Sequence, residues 1–211
     1  AEEWLNPLAA NGKLVRLGSN ENPYGPSAKA RKALVAAMDE FNRYANDGVN
    51  ELKKAIAAKE GVSADHVLVT AGSSETLCLT GMGAGLEGGS VLSAYPTFRL
   101  LMDYAEKFNA RWDKVDLNSE LVHDLPALAS ALKSDTRILF LCNPNNPTGT
   151  FIPGDQFKNF CQEMSKKTTV FVDEAYIEFL EPDEQRTMVE LVKEGHNVIV
   201  SRTFSKVHGL A

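Results

Sequence analysis

Residues 138–149 read ILFLCNPNNPTG, an uninterrupted apolar run followed directly by a turn that holds two prolines and a glycine. Consecutive apolar side chains at the start of this stretch predict a strand that is buried on both faces. The prolines and the glycine end that strand and fix the direction in which the chain leaves it. A strand of this kind needs helices above and below it, which is typical of a mostly parallel sheet.

The rest of the chain alternates between strand-like and helical patterns, as such a sheet requires. Ser27, Asp124 and either Ser73 or Ser74 are placed to cap helices, and Gly61 is placed to end one. The sequence therefore predicts an α/β fold with three layers (αβα), in which helices cover both faces of a mostly parallel sheet. Strands are predicted at 67–70, 90–94, 111–117, 138–142, 170–172 and 198–200, and helices at 28–41, 51–60, 74–84, 97–108, 125–132, 157–164 and 188–192.

The composition excludes several classes of protein. The chain has 211 residues and a formal charge of −6 at pH 7, with 44% hydrophobic and 24% charged residues. This provides enough apolar surface to offset the entropy of ordering a globular chain. No apolar run approaches the ~18 residues that a membrane-spanning helix needs, and the acidic balance argues against nucleic-acid binding. We therefore expect no membrane and no nucleic-acid partner.

The cysteines and histidines indicate neither disulfides nor a metal site. Cys78, Cys142 and Cys161 lie singly in apolar stretches, so we expect buried thiols in a reducing compartment. The four histidines are far apart in the sequence and have no ligand spacing, so no metal is expected. The default expectation is a cytoplasmic protein. A processed, exported form stays open as an alternative, because the chain begins at Ala1 rather than at Met.

Polar and aromatic side chains follow the predicted strands at the edge where open α/β sheets bind ligands. Taken singly, each has an ordinary interpretation: Phe98 as core, Asn146 as turn chemistry, and Lys206 as a solvated lysine. Their joint occurrence at one edge favours a common site. The set comprises the small-residue turn of Gly72, Ser73 and Ser74, the ring of Phe98, the amide of Asn146, the side chains of Asp173 and Tyr176, and the group Thr203, Ser205 and Lys206.

This set of side chains fits pyridoxal 5'-phosphate. A lysine can hold an aldehyde cofactor as an imine, and this cofactor needs an acidic partner for its ring nitrogen. A helix N-terminus can bind the phosphate group, and an aromatic side chain can hold the flat ring. The sequence contains no P-loop, no dinucleotide-binding fingerprint and no nucleophile elbow.

Three motifs together resemble the class I/II aminotransferases of fold type I. They are NPNNPTG at 143–149, VDEAY at 172–176 and RTFSK at 202–206. The opening NENPYGP at 20–26 and the Arg43-Tyr44 pair are similar to the branch of histidinol-phosphate aminotransferase and its relatives. The resemblance implies the large domain of a fold type I transferase that depends on pyridoxal phosphate.

By this resemblance, Lys206 would bind the cofactor as an imine and then act as general acid and base for the proton shift. Asp173 would pair with the pyridine nitrogen and keep it protonated. Tyr176 and Asn146 would hydrogen-bond the ring hydroxyl oxygen, and Phe98 would stack on the ring. The phosphate would be held by Gly72, Ser73, Ser74, Thr203 and Ser205.

The resemblance also implies a homodimer, in which Tyr44 would reach the cofactor phosphate of the neighbouring subunit. Asn22 and Tyr24 would line the substrate entrance. The family's arginines for the cofactor phosphate and the substrate carboxylate have no counterpart here, so we expect a chain truncated before a C-terminal small domain. Residues 1–42 would form an arm and first helix with small-domain and dimer contacts, and residues 43–211 an incomplete cofactor-binding large domain.

Three functions stay open on the sequence. The first is an aminotransferase that moves an amino group between an amino acid, or an amino-alcohol phosphate such as histidinol phosphate, and a 2-oxo acid. The second is a decarboxylase of the same fold, of the threonine-phosphate type, whose cofactor site would look the same. The third is a non-catalytic α/β domain that binds a phosphorylated metabolite and makes no use of Lys206.

Overall fold

The computed structural model describes residues 18–211. A five-stranded parallel sheet lies at its centre. The strands are β1 (Ser90–Tyr95), β2 (Arg111–Asp116), β3 (Thr136–Cys142), β4 (Thr169–Asp173) and β5 (Val198–Ser201). They lie side by side in the order β2-β1-β3-β4-β5. Because they run in one direction, their carboxyl ends share one edge of the sheet, as the sequence predicts.

Helices cover both faces of the sheet. They are α1 (Ala28–Ala36), α2 (Asn46–Glu60), α3 (Gly72–Glu87), α4 (Leu100–Lys107), α5 (Leu125–Ala131), α6 (Gly154–Ser165) and α7 (Val189–Lys193), with short 3-10 turns at Met38–Glu40, Ala64–His66 and Ile177–Phe179. In β3, Leu139 and Leu141 face a core shared with α5, α6 and α7, while Ile138 and Phe140 face a core shared with α3 and α4. This period of two confirms the predicted three layers.

The helices α3 and α4 cross at a distance that only glycine permits. A side chain at Gly81 would overlap the Leu101 carbonyl oxygen, and one at Gly85 would lie 2.5 Å from the Cβ atom of Phe108. Gly81 and Gly85 therefore serve the close packing of the two helices.

The predicted caps of three helices are confirmed. The Ser27 hydroxyl accepts from the Ala30 amide at 3.2 Å, and the Asp124 carboxylate accepts from the Ala127 amide at 2.9 Å. Gly61 ends α2 with a φ of +70°, a conformation that costs glycine little.

The predicted strand at 67–70 is wrong. Its residues join no ladder of the described sheet, and the side chain of Leu68 is 75% exposed. A short apolar run becomes a strand only where a neighbouring strand supplies hydrogen bonds, and periodicity alone does not reveal that neighbour.

Several predicted helix ends are also wrong. Helix α1 ends at Ala36 and α2 begins at Asn46, so the first helix is shorter and the second longer than predicted. Ser73 and Ser74 do not cap α3, because they lie inside its first turn after Ala71. Helix α4 begins at Leu100 rather than at Thr97, because residues 96 and 97 form a bend and the next two residues are not helical.

The prediction of buried thiols holds for two of the three cysteines. Cys142 and Cys161 are buried as predicted, Cys78 is half-buried, and all three thiols are free.

Across residues 18–211, no helix is both long and apolar enough to cross a lipid bilayer. The division into residues 1–42 and 43–211 stays a prediction, and residues 1–17 of its first part lie outside the described chain.

His123 makes the stability of the fold depend on pH. Its ring is 4% exposed, and neither ring nitrogen has a hydrogen-bond partner among the described residues. Burial lowers the pKa of His123 from 6.5 to about 4. The unfolded chain therefore binds a proton more readily than the folded chain. As a result, the free energy of unfolding keeps its full value above about pH 6.5 and decreases as the pH falls towards about 4. At about 1.4 kcal/mol for each pKa unit, the loss amounts to about 3 kcal/mol.

Urea unfolding of the wild type and of His123→Phe, measured from neutral pH down to about pH 4.5, checks this effect. The variant should lose this part of the pH dependence, whereas replacement of the exposed His66 by Gln should keep the wild-type slope. Identical pH profiles for the wild type and His123→Phe would contradict the interpretation.

Candidate active site

The candidate site lies at the shared carboxyl edge of the sheet. Phe98 follows β1, Asn146 follows β3, Asp173 ends β4, and Lys206 follows β5. Phe98 and Asn146 line one open cavity of about 420 Å³, together with Thr97, Arg99 and Pro147 among others. The parallel sheet thus brings four side chains from separate strands to one edge, as predicted.

Asp173 is a buried acid with few hydrogen-bond partners. Its side chain is 2% exposed, and its Oδ1 atom accepts from the Ala175 amide at 3.2 Å. Burial raises the pKa of Asp173 to about 7, while the positive charge of Lys206 acts in the opposite direction. A cation bound beside this carboxyl would favour its ionised form, which is what a protonated ring nitrogen provides.

Tyr176 connects the turn after β3 to the N-terminal loop. Its hydroxyl oxygen accepts from the Asn146 amide group at 3.3 Å and from the Asn20 amide group at 2.9 Å. Burial raises the pKa of Tyr176, so the phenol keeps its proton. Because the oxygen accepts both bonds, its own O–H group stays available to a ligand.

Lys206 lies over the ring of Tyr176, with its Nζ atom 5.9 Å from the ring centroid. The same atom donates to the carbonyl oxygen of Ser19 at 2.7 Å. The Asn22 amide group donates to the carbonyl of Val207 at 2.8 Å. Residues 19–25, which we call the entrance loop, therefore cover the segment that carries Lys206.

The predicted phosphate ligands form two groups. The Thr203 and Ser205 hydroxyls lie 2.7 Å apart, and the Ser205 amide donates to the Thr203 hydroxyl at 3.1 Å. Gly72, with a φ of +72°, begins α3, and Ser73 and Ser74 follow in its first turn, where amide groups lack partners within the helix. The Gly72 amide donates to the Thr70 carbonyl at 2.8 Å, so it would have to leave that bond to bind a phosphate. The remaining amides and the hydroxyls are donors of the type that a phosphate requires.

Two predicted residues lie away from these contacts. Tyr44 is 96% exposed and Tyr24 is 90% exposed, so both rings make little contact with the other described residues. Asn22, by contrast, is held in place by its bond to Val207.

An ion pair that the sequence analysis missed joins β4 to β5. The Glu174 side chain is buried and accepts from Arg202 at 3.0 Å, from the Met188 amide at 2.7 Å and from the Thr187 hydroxyl at 2.8 Å. Arg202 also donates to Glu60 of α2 at 3.1 Å. Glu174 follows Asp173, and Arg202 precedes Thr203, so the pair fixes the spacing of two site strands. The sequence signal for this pair was an acidic residue directly after one predicted strand and a basic residue directly after the next.

Ser19, Asn20 and Asn145 are further contact residues that the sequence analysis did not single out. Ser19 acts through its backbone, so its side-chain type carries no signal. Asn20 and Asn145 lie inside motifs that were noted, but their individual roles depend on partners far away in the sequence.

Removal of Arg202 should destabilise the fold strongly. In Arg202→Met the buried Glu174 carboxylate loses its charged partner, and a broken buried pair costs about 3 kcal/mol or more. Urea unfolding at neutral pH measures the change. The matched control is Lys54→Met, which breaks the exposed pair with Glu51 and should cost less than about 1 kcal/mol. Equal losses in the two variants would contradict a central role for Arg202.

Comparisons with known proteins identify the family of this chain. The protein-family model described as aminotransferase class I and II matches residues 12–211. Histidinol-phosphate aminotransferase 2 of Ralstonia nicotianae is 40% identical over 199 residues, which cover 94% of this chain and 53% of that protein. The chain spans about half the length of the curated relatives it matches.

Solved structures show the same fold. Histidinol-phosphate aminotransferase from Sinorhizobium meliloti, in complex with pyridoxal-5'-phosphate, is 27% identical with a TM-score of 0.81, covering 92% of this chain and 52% of that one. L-threonine-O-3-phosphate decarboxylase from Porphyromonas gingivalis is 21% identical with a TM-score of 0.76, covering 93% and 57%, and shows likeness of fold alone. Since the family model spans nearly all of the sequence, the chain belongs to the class I and II aminotransferases, which depend on pyridoxal phosphate.

Proposed function

We propose that the protein containing this chain is an aminotransferase that uses pyridoxal phosphate. It would move an amino group between an amino acid, or an amino-alcohol phosphate resembling histidinol phosphate, and a 2-oxo acid. The observation that carries the proposal is the meeting of Lys206, Tyr176, Asn146 and Asp173 at one edge of the sheet.

The residues at this edge fit the cofactor, which when bound supplies an electron sink for the substrate. Asp173 would hold the ring nitrogen, and the positive charge there would bring the pKa of the carboxyl below the value of about 7 that burial gives it. The Tyr176 O–H group and the Asn146 amide would hydrogen-bond the ring hydroxyl oxygen. Phe98, which is 36% exposed, has free ring surface with which to stack on the cofactor.

Lys206 would transfer the proton of the reaction. Its Nζ atom must leave the Ser19 carbonyl and lose a proton before it can react as an amine. Once a substrate amine has taken its place on the cofactor, Nζ would accept a proton from one carbon and return it to a different carbon. The nearby Tyr176 ring and the entrance loop would limit the access of water to this exchange.

The phosphate would bind to the Thr203 and Ser205 hydroxyls and to the first amides of α3, at Gly72, Ser73 and Ser74. These groups provide neutral hydrogen-bond donors and the positive end of a helix dipole.

We also propose a homodimer in which Tyr44 reaches the cofactor phosphate of the neighbouring subunit. The segment around Tyr44 exposes apolar side chains, with Val35 at 64%, Met38 at 60% and Phe41 at 65% exposure. Contiguous exposed apolar surface is typical of a protein interface. The substrate entrance would be lined by Asn22 and Tyr24, and a cytoplasmic location stays a prediction from the free thiols.

The formation of a lysine-bound cofactor tests the proposal directly. Wild-type protein mixed with pyridoxal phosphate should develop a visible absorbance band, because the cofactor joins Lys206. Lys206→Ala should abolish the band, whereas Lys29→Ala, which removes an exposed lysine of α1, should keep it. An unchanged band in Lys206→Ala would overturn the assignment.

The products distinguish the proposed reaction from the decarboxylase alternative. Full-length protein given histidinol phosphate or amino acids should convert its bound cofactor to the amine form and release a carbonyl product without carbon dioxide. Carbon dioxide release in stoichiometric amounts would favour the decarboxylase instead. A protein that binds phosphorylated ligands equally well in Lys206→Ala, with no reaction, would favour the non-catalytic alternative.

A further inference from the structure

The carboxamide of Asn145 joins the loops that follow β1 and β3. Its Oδ1 atom accepts from the Thr97 hydroxyl at 2.8 Å, and its Nδ2 atom donates to the Pro96 carbonyl at 3.2 Å. Nδ2 also donates to the Thr148 hydroxyl within its own turn at 2.9 Å. We call these three bonds the Asn145 clamp.

The backbone of Asn145 is held as firmly as its side chain. Its amide donates to the Thr150 carbonyl at 2.8 Å, and its carbonyl accepts from the Gly149 amide at 2.8 Å. Thr150 in turn donates from its hydroxyl to the Leu121 carbonyl at 2.6 Å. Backbone bonds therefore hold the turn at 143–149, and two of the three side-chain bonds of Asn145 reach the loop after β1.

The Thr97–Asn145 bond of the clamp is buried, whereas the bonds to Pro96 and Thr148 are partly buried. Asn145 is 3% exposed and Thr97 is 5% exposed. The His123 ring, which burial keeps neutral by lowering its pKa to about 4, lies beside the Asn145 carboxamide. Burial limits the access of water to the Thr97–Asn145 bond, and a buried polar group left without its partner costs more than an exposed one.

The clamp lies between two residues of the proposed cofactor site. Phe98 follows Thr97 in the chain, and Asn146 follows Asn145. These neighbours line the same open cavity of about 420 Å³. Phe98 is 36% exposed, so packing in the core does not fix the position of its ring.

We propose that Thr97 and Asn145 are positioning residues that set the spacing between Phe98 and Asn146, and so hold the cofactor ring in a fixed orientation. The inference rests on the proposed function, because it concerns the same site. It assigns a specific purpose to the hydroxyl at 97 and to the first of the two consecutive asparagines. Binding sites lose performance when such side chains are displaced by a fraction of an ångström to about one ångström.

A matched pair of variants tests the role of the Thr97 hydroxyl. Thr97→Val keeps the shape of the side chain and removes the donor, whereas Thr97→Ser keeps the donor. In full-length protein, titration with pyridoxal phosphate should give a dissociation constant about tenfold weaker for Thr97→Val and within about twofold of wild type for Thr97→Ser. The visible circular dichroism of the bound cofactor, which reports ring orientation, should change in Thr97→Val and be restored in Thr97→Ser.

A double-mutant cycle separates positioning from general stability. Thr97→Val should weaken cofactor binding much less in an Asn146→Ala background, because the residue that the clamp positions is then gone. If Thr97→Val prevents folding, Thr97→Ala removes the same hydroxyl with less bulk and is interpreted in the same way.

The outcomes distinguish this inference from the proposed function. Wild-type protein that does not bind the cofactor would contradict the proposed function itself. Wild-type binding with an unchanged affinity and circular dichroism in Thr97→Val would overturn the clamp alone. If Thr97→Val weakens cofactor binding equally in the wild-type and Asn146→Ala backgrounds, the clamp is also overturned, because Thr97 would then act only through the stability of the fold.

Discussion

The central strands β3 and β4 are covered by apolar side chains on both faces, and this burial places the polar chemistry at the strand ends. Leu139, Leu141, Val170 and Val172 fill one core, while Phe140 and other side chains fill the second. A charged group within these strands would have to give up its hydration without compensation. Asp173 stands at the last position of β4, at the carboxyl edge of the sheet rather than within its apolar centre.

Two adjacent carboxyl groups at this edge have different purposes. Burial raises the pKa of both Asp173 and Glu174. Glu174 is compensated by Arg202 and by two further donors, so it stabilises the protein. Asp173 accepts from the Ala175 amide and forms no ion pair within residues 18–211, so a cation bound beside it would favour its ionised form. This difference distinguishes Glu174, whose partners lie within the chain, from Asp173, for which we propose a role in cofactor binding.

The entrance loop adds a second constraint on the site. It binds Tyr176 through Asn20 and the Lys206 segment through Ser19 and Asn22. Ser19 and Asn20 both adopt a positive φ, at 68° and 51°, which side-chain-bearing residues rarely do without compensation from their surroundings. The contacts of the loop with the site support this backbone, together with the tolerance of asparagine for a positive φ.

The sequence by itself determined the parallel α/β architecture, the turn at 143–149 and the identity of Asp173, Asn146 and Lys206 as site candidates, because periodicity and turn chemistry are local properties. It did not determine that residues 67–70 stay outside the described sheet, since strand formation depends on a neighbour. Only the tertiary structure decided the pairings of Arg202 with Glu174, Thr97 with Asn145 and Lys206 with Ser19, whose partners are 28, 48 and 187 positions apart. Such contacts form only when the fold brings distant segments together, so a local pattern can mark the residues involved but not their pairing.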